Sequence, residues 1–203
     1  MNTTPLFVTG IGTDVGKTIV SAVLCQQLKA DYWKPVQAGD LHFTDSDKVK
    51  SLISNSRTYI HPEVYRLKLA ASPHQAAEEE DINIMPCDFT LPRTDNQLLI
   101  EGAGGLFVPL SSSYLMIDLI QQLNAAAVLV VRNYLGCINH TLLSINALIQ
   151  YGIPLKHLVF NGAFPAASID VIVKYLPMGT TCSQLPELTD LNPQILSEQK
   201  PQL

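Results

Sequence analysis

The chain has 203 residues, enough for one domain with its own core, and 47% hydrophobic and 15% charged residues exclude a disordered or fibrous chain. A formal charge of −5, with 13 Lys and Arg that form no dense run, leaves no basic field for a polyanion, so nucleic acid is not an expected partner. No apolar stretch has the length that crosses a bilayer, and MNTTPLFVTG reaches a glycine too early for a secretory core, so a cytoplasmic protein with no membrane partner is expected.

In chain order, the first apolar run is Leu6 to Thr9, and a helical pattern follows from Lys17 to Lys29. A second run, Tyr32 to Val36, precedes a helix over Pro73 to Glu80. Met85 to Asn96, with Pro86 and Pro92, reads as a loop. Then come the run Leu98 to Glu101, a helix over Tyr114 to Leu123, the run Ala127 to Val131, a helix over Ile138 to Tyr151 and the run His157 to Asn161. Short unbroken apolar runs alternating with helices predict an α/β fold: a doubly wound, mainly parallel sheet with helices on both faces. Residues 1–203 read as a single domain, with 185–203, which holds Pro186, Pro193 and Pro201, as a surface-wrapping or partly disordered tail. Functional side chains are expected at the C-terminal ends of the strands. The four cysteines form no CxxC pair and the five histidines are scattered, so neither a zinc site nor a disulfide framework is expected.

The most specific motif is Gly10-Ile-Gly-Thr-Asp-Val-Gly16-Lys17-Thr18, between the first strand and the first helix. This is the setting of a phosphate loop of P-loop NTPase type. Its backbone N–H groups and the helix N-terminus would meet phosphate oxygens, Lys17 would neutralise the β- and γ-phosphates, and the Thr18 hydroxyl would face Mg²⁺. The spacing is unusual, because five residues separate Gly10 from Gly16 and Ile11 stands where such loops begin with glycine.

Glu101 ends an apolar run and precedes Gly-Ala-Gly-Gly, so its carboxylate is expected at a strand tip as a magnesium partner, or else as a surface glutamate before a turn. Asp47 is a second acidic candidate, although Asp40, Asp45 and Asp47 would all serve equally as loop residues or helix caps. Lys34 precedes Pro35, which keeps it extended at the end of the second strand, where a fixed ammonium would offset charge in phosphoryl transfer. The turn Leu135-Gly-Cys-Ile-Asn-His140 either holds an anion at a helix N-terminus or simply joins strand to helix. Asn161 either pairs with a nucleobase edge or shapes a turn.

Taken together, Phe7 to Thr18, Lys34-Pro-Val-Gln-Ala-Gly39, Ser46-Asp47, Ser72-Pro-His74, Glu101-Gly-Ala-Gly-Gly105 and Leu135 to His140 resemble dethiobiotin synthetases over Phe7 to about Leu188. The resemblance implies a homodimeric enzyme that uses MgATP to convert 7,8-diaminopelargonate and CO₂ into dethiobiotin, ADP and phosphate through a carbamate and its mixed phosphoric anhydride. It implies Lys34 and Lys17 as catalytic residues and Thr18, Asp47 and Glu101 around Mg²⁺. Nucleotide contacts would come from Asp14, Val15, Gly16, Lys17, Thr18, Ile19, Asp47, Glu101, Gly102, Ala103, Gly104, Asn161, Pro186, Glu187 and Leu188. Thr13, Lys34, Ala38, Gly136, Cys137, Ile138 and Asn139 would contact substrate. Asp14 stands where the family usually has glutamate, Ala38 where it has a hydroxyl, Gly162 where Asp is frequent, and Pro186-Glu187-Leu188 carries no aromatic. The rival readings are a partitioning-type ATPase switch, which should show a signature lysine early in the loop, and a small-molecule kinase, for which only four arginines are on hand.

Overall fold

In the computed structural model, residues 3–188 and 190–199 are described. The elements run β1 (Leu6–Gly10), α1 (Lys17–Leu28), β2 (Asp31–Trp33), β3 (Val36–Ala38), α2 (Asp45–Leu52), β4 (Ile60–His61), β5 (Tyr65–Leu67) and α3 (Pro73–Glu79). They continue with β6 (Leu98–Gly105), β7 (Pro109–Ser111), β8 (Tyr114–Leu115), α4 (Met116–Gln122), β9 (Ala126–Arg132), α5 (Cys137–Gln150), β10 (Leu155–Asn161), α6 (Ala166–Lys174), β11 (Thr181–Leu185) and α7 (Pro193–Glu198).

Seven parallel strands form the central sheet in the order β11-β10-β9-β1-β6-β2-β4. Alternation along each strand assigns its side chains to opposite faces. On one face Leu6, Val8, Leu99, Val128, Val130 and Val159 pack with Val20, Val23 and Leu24 of α1, Val49 and Leu52 of α2, and Leu196 of α7. On the other, Phe7, Ile100, Leu129, Val131, Leu158 and Phe160 pack with residues of α3, α4, α5 and α6. The expected doubly wound α/β sheet is therefore present, and each fully buried Leu, Ile or Phe contributes roughly 1.5–3 kcal/mol. Chain order reverses around β1, which lies between β6 and β9, and this switch point opens a crevice at the C-terminal strand ends.

Two expectations need correction. The run Tyr32 to Val36 is not one strand: β2 ends at Trp33, and β3 pairs with β5 in a separate two-stranded sheet. Pro35 has no N–H to donate to a ladder, so the chain leaves the main sheet at Lys34. Tyr114 and Leu115 are not the start of a helix but a short strand paired with β7, and the Asp118 carboxylate accepts the Leu115 N–H at 2.8 Å as α4 begins. Beyond β11 the tail carries α7, which packs against α1 and α2. Asn192 caps α7 by accepting the Ile195 N–H at 3.0 Å, and Leu196 is fully buried against the α1 side of the sheet. Thr189 and residues 200–203 of the predicted tail lie outside the described residues. The elements α2 and β11 carry weak apolar signatures, whereas α6 is apolar and amphipathic; none of the three is among the expected elements. His157 on β10 pins the edge strand β11, with Nδ1 2.6 Å from Thr181 Oγ1 and Nε2 2.8 Å from Ser183 Oγ.

Candidate active site

The crevice at the strand ends is a cleft of about 1000 Å³, at the upper end of small-ligand sites. Its floor is the loop between β1 and α1. Gly16 has φ +93, and a side chain there would collide with the Asn161 amide, so this position requires glycine. The Asn161 amide donates to the Val15 carbonyl at 2.8 Å, which braces the loop from the tip of β10. Lys17 turns its ammonium onto the Gly12 carbonyl at 3.0 Å. Burial pulls its pKa below the usual lysine range, against the opposing pull of Glu101.

Next to this floor four functional groups converge from four elements. The Thr18 hydroxyl, on the first turn of α1, is 2.9 Å from Asp45 Oδ1 and 2.8 Å from Glu101 Oε1. Lys34, delivered where β2 breaks off, places its ammonium 2.6 Å from Asp45 Oδ2 and 3.2 Å from Glu101 Oε1. Glu101 is fully buried, and its Oε2 accepts the Tyr32 hydroxyl at 3.0 Å. Burial alone would lower the Lys34 pKa, but the Glu101 and Asp45 carboxylates outweigh it and raise the pKa. Lys34 therefore stays charged at neutral pH and acts as a fixed cation, not as a base. For Asp45 burial works upward, yet the facing Lys34 ammonium holds the carboxyl below its usual range.

This corner fits a hard cation. Thr18 has one hydroxyl hydrogen and two carboxylate oxygens within reach of it, so lone pairs outnumber protons where Thr18 Oγ1, Asp45 Oδ1 and Glu101 Oε1 meet. Mg²⁺ takes oxygen ligands, and with two carboxylates and one hydroxyl it would complete its shell from water and phosphate. Among the described residues no group of three or more His, Cys, Asp or Glu side chains could hold a metal unaided, in keeping with that division.

Asp47 is not part of this arrangement. It is the third residue of α2, where its carboxylate accepts the Thr44 N–H at 3.0 Å and the Thr44 hydroxyl at 2.9 Å while Thr44 accepts the Asp47 N–H. This reciprocal capping box turns Asp47 away from the cleft and leaves Asp45 to face Lys34 and Thr18. The Thr-x-x-Asp pattern from Thr44 to Asp47 was the sequence signal that could have separated the two. Gln37, also not anticipated, accepts the Asp45 N–H at 3.2 Å and donates to the Gly39 carbonyl at 3.0 Å, fixing the start of α2.

Of the other expected residues, Thr13, Asp14, Ile19, Ala38, Ala103, Gly104, Glu187 and Leu188 line the cleft, whereas Val15 and Gly102 are buried and Pro186 is exposed outside its lining. Gly136, Cys137, Ile138 and Asn139 are not brought to the cleft of this chain. Cys137 is buried, and the turn is presented outward with Leu135 fully exposed. Strand β9 reaches the cleft through Arg132 and Asn133 instead, and Arg132 bridges the Asp14 carbonyl at 3.4 Å and Glu187 at 3.3 Å.

Residues 4–195 match a family model described as an AAA domain. The chain is 49% identical to an ATP-dependent dethiobiotin synthetase of Cytophaga hutchinsonii, covering 83% of this chain and 82% of that one. An enzyme of the same name from Rhodopseudomonas palustris is 46% identical, covering 93% of this chain and 89% of its relative. The chain belongs to the dethiobiotin synthetase family. Among solved structures, a putative plasmid partition protein of Borrelia burgdorferi bound to AMPPNP superposes with TM-score 0.56 at 11% identity, covering 97% of this chain and 90% of that one. A ParA family ATPase of Chlorobium tepidum gives TM-score 0.52 at 12% identity, covering 92% and 86%. At such identities these two share the fold alone, and family membership rests on the synthetases.

Proposed function

We propose that this chain is an ATP-dependent dethiobiotin synthetase, a carbon–nitrogen ligase of biotin biosynthesis that joins 7,8-diaminopelargonate and CO₂ into dethiobiotin with release of ADP and phosphate. The observation that carries this reading is the meeting of Lys17, Thr18, Lys34, Asp45 and Glu101 in one cleft, in a chain of this family.

The residues divide the work. The loop from Gly10 to Gly16 and the N-terminus of α1 cradle the triphosphate, and Lys17 neutralises its β- and γ-oxygens. Thr18, Asp45 and Glu101 would hold Mg²⁺, which when bound would screen the phosphate charge. Substrate carbamate forms on one amine of the diamine, and its oxygen attacks the γ-phosphorus as ADP leaves. Lys34, which lines the cleft, spends two of its three N–H bonds on Asp45 and Glu101, which leaves one for the carbamate and the travelling phosphoryl group. The second amine then attacks the activated carbonyl, phosphate departs with the C–O bond electrons, and the ureido ring is closed.

Two further parts of the reading concern assembly and location. The chain acts as a homodimer, in which the outward turn at Gly136 to Asn139 serves the substrate carboxylate across the interface. The exposed apolar side chains of Tyr134, Leu135 and Leu143 at and along α5 support that surface. A cytoplasmic setting fits the four unbridged cysteines. Purified protein given MgATP, bicarbonate and diaminopelargonate should form dethiobiotin, detected by mass, with matching ADP. Hydrolysis of ATP that is indifferent to the diamine would remove the synthetase reading.

A further inference from the structure

Glu101 carries no solvent-exposed surface, so the orientation of its carboxylate is decided by its neighbours. Oε1 faces Thr18 and Lys34, at 2.8 and 3.2 Å. Oε2 points the other way, and among the described residues its hydrogen-bond partner is the Tyr32 hydroxyl at 3.0 Å. Tyr32 is itself fully buried and pairs in register with Leu99, two residues before Glu101 on β6. Same-face positions along a strand are about 6.6 Å apart, a distance that a tyrosine side chain spans. The hydroxyl therefore reaches the carboxylate oxygen that Thr18 and Lys34 leave free.

We propose that Tyr32 is a positioning residue for the magnesium corner: its hydroxyl holds Glu101 by Oε2 so that Oε1 stays turned toward Thr18 and the cleft. The inference rests on the reading above that Glu101 faces Mg²⁺. A carboxylate with one oxygen anchored has a single orientation to offer a cation, whereas one anchored only through Thr18 and Lys34 can turn about its last bond. Partners that orient a metal-binding group in this way typically change metal affinity by 10–100-fold when removed. Phenylalanine would keep the ring and its packing and lose only the hydroxyl.

The test is binding of a fluorescent ATP analogue without diamine, titrated with Mg²⁺, alongside thermal melting. Tyr32→Phe should raise the Mg²⁺ midpoint about tenfold while leaving analogue affinity in EDTA unchanged. Trp33→Phe, which removes a neighbouring β2 donor to the Pro62 carbonyl, should lower the melting temperature without moving that midpoint. Glu101→Gln alone tests the metal reading: an unmoved midpoint there defeats that reading, not specifically the tyrosine. A moved midpoint in Glu101→Gln with an unmoved one in Tyr32→Phe would overturn the positioning role alone, as would a Tyr32→Phe protein that merely melts earlier. With the carboxylate already neutralised the tyrosine has no metal-facing group left to orient, so the double variant should match Glu101→Gln in its Mg²⁺ midpoint. Additive shifts in it would overturn the proposal.

Discussion

The two ends of the cleft are built by opposite rules. At the magnesium corner Lys34, Glu101 and Tyr32 are buried, and every functional atom is held by a second protein group at 2.6–3.2 Å. At the far end Arg132 and Glu187 meet at 3.3 Å with their side chains 52% and 67% exposed, so solvent screens the pair. Lys34 and Glu101 are thus fixed by protein partners, whereas the Arg132–Glu187 pair is left in water. The closeness of two lysines makes the same point: burial weakens the hold of Lys17 on its proton, while two touching carboxylates keep Lys34 charged.

The contrast can be broken most severely at Lys34. Lys34→Ala should lower kcat about 10²–10³-fold in the dethiobiotin assay, because it removes a fixed charge from the transfer step and leaves Asp45 and Glu101 facing each other. Activity near wild type would take Lys34 out of the chemistry. Next in size is an effect of acid beneath the open end, where His157 fastens β11 ahead of Pro186 to Leu188. Burial pushes the His157 pKa down to about 4, against 6.5 for an unperturbed histidine. Below pH 6.5 the unfolded chain gains a proton that the folded chain refuses. This contribution is therefore complete above pH 6.5 and is lost as pH falls toward 4, by on the order of 3 kcal/mol. Denaturant melts between pH 7 and 4 measure it, and His157→Gln should flatten that slope.

A smaller and sharper comparison sets neighbours on α2 against each other. Asp45→Asn should raise the Mg²⁺ requirement about tenfold, while Asp47→Asn should cost about 1 kcal/mol of stability or less and leave Mg²⁺ dependence untouched. Magnesium titrations of both variants decide it, and the reverse result would return Asp47 to the metal. The least effect is expected at the rim, where Glu187→Ala should change the KM for ATP less than about threefold with kcat unchanged. A large rise in KM would show that the open end is less passive than its exposure suggests.

Strands β1, β6, β9 and β10 were legible because they are buried on both faces and so read as unbroken apolar runs. The phosphate loop was legible because glycine spacing, Lys17 and Thr18 stand between such a strand and a helix. Strand β11, Thr-Cys-Ser-Gln-Leu, was not, since an edge strand with exposed side chains has no apolar pattern to show. Asp45 and Asp47 are chemically identical and two residues apart, and only the capping geometry of Thr44 decides which one turns inward. Tyr32 lies in the middle of a three-residue strand, but its partner is Glu101, 69 residues away, and no local pattern announces that.

Asn161 lines the cleft from the tip of β10, yet its amide already grips the peptide of Val15 in the loop between β1 and α1. An inhibitor designed to capture that side chain would tug on the anion cradle at the same time. Contact with Asn161 and the shape of the glycine loop thus share one strut, and a compound cannot recruit the first without disturbing the second.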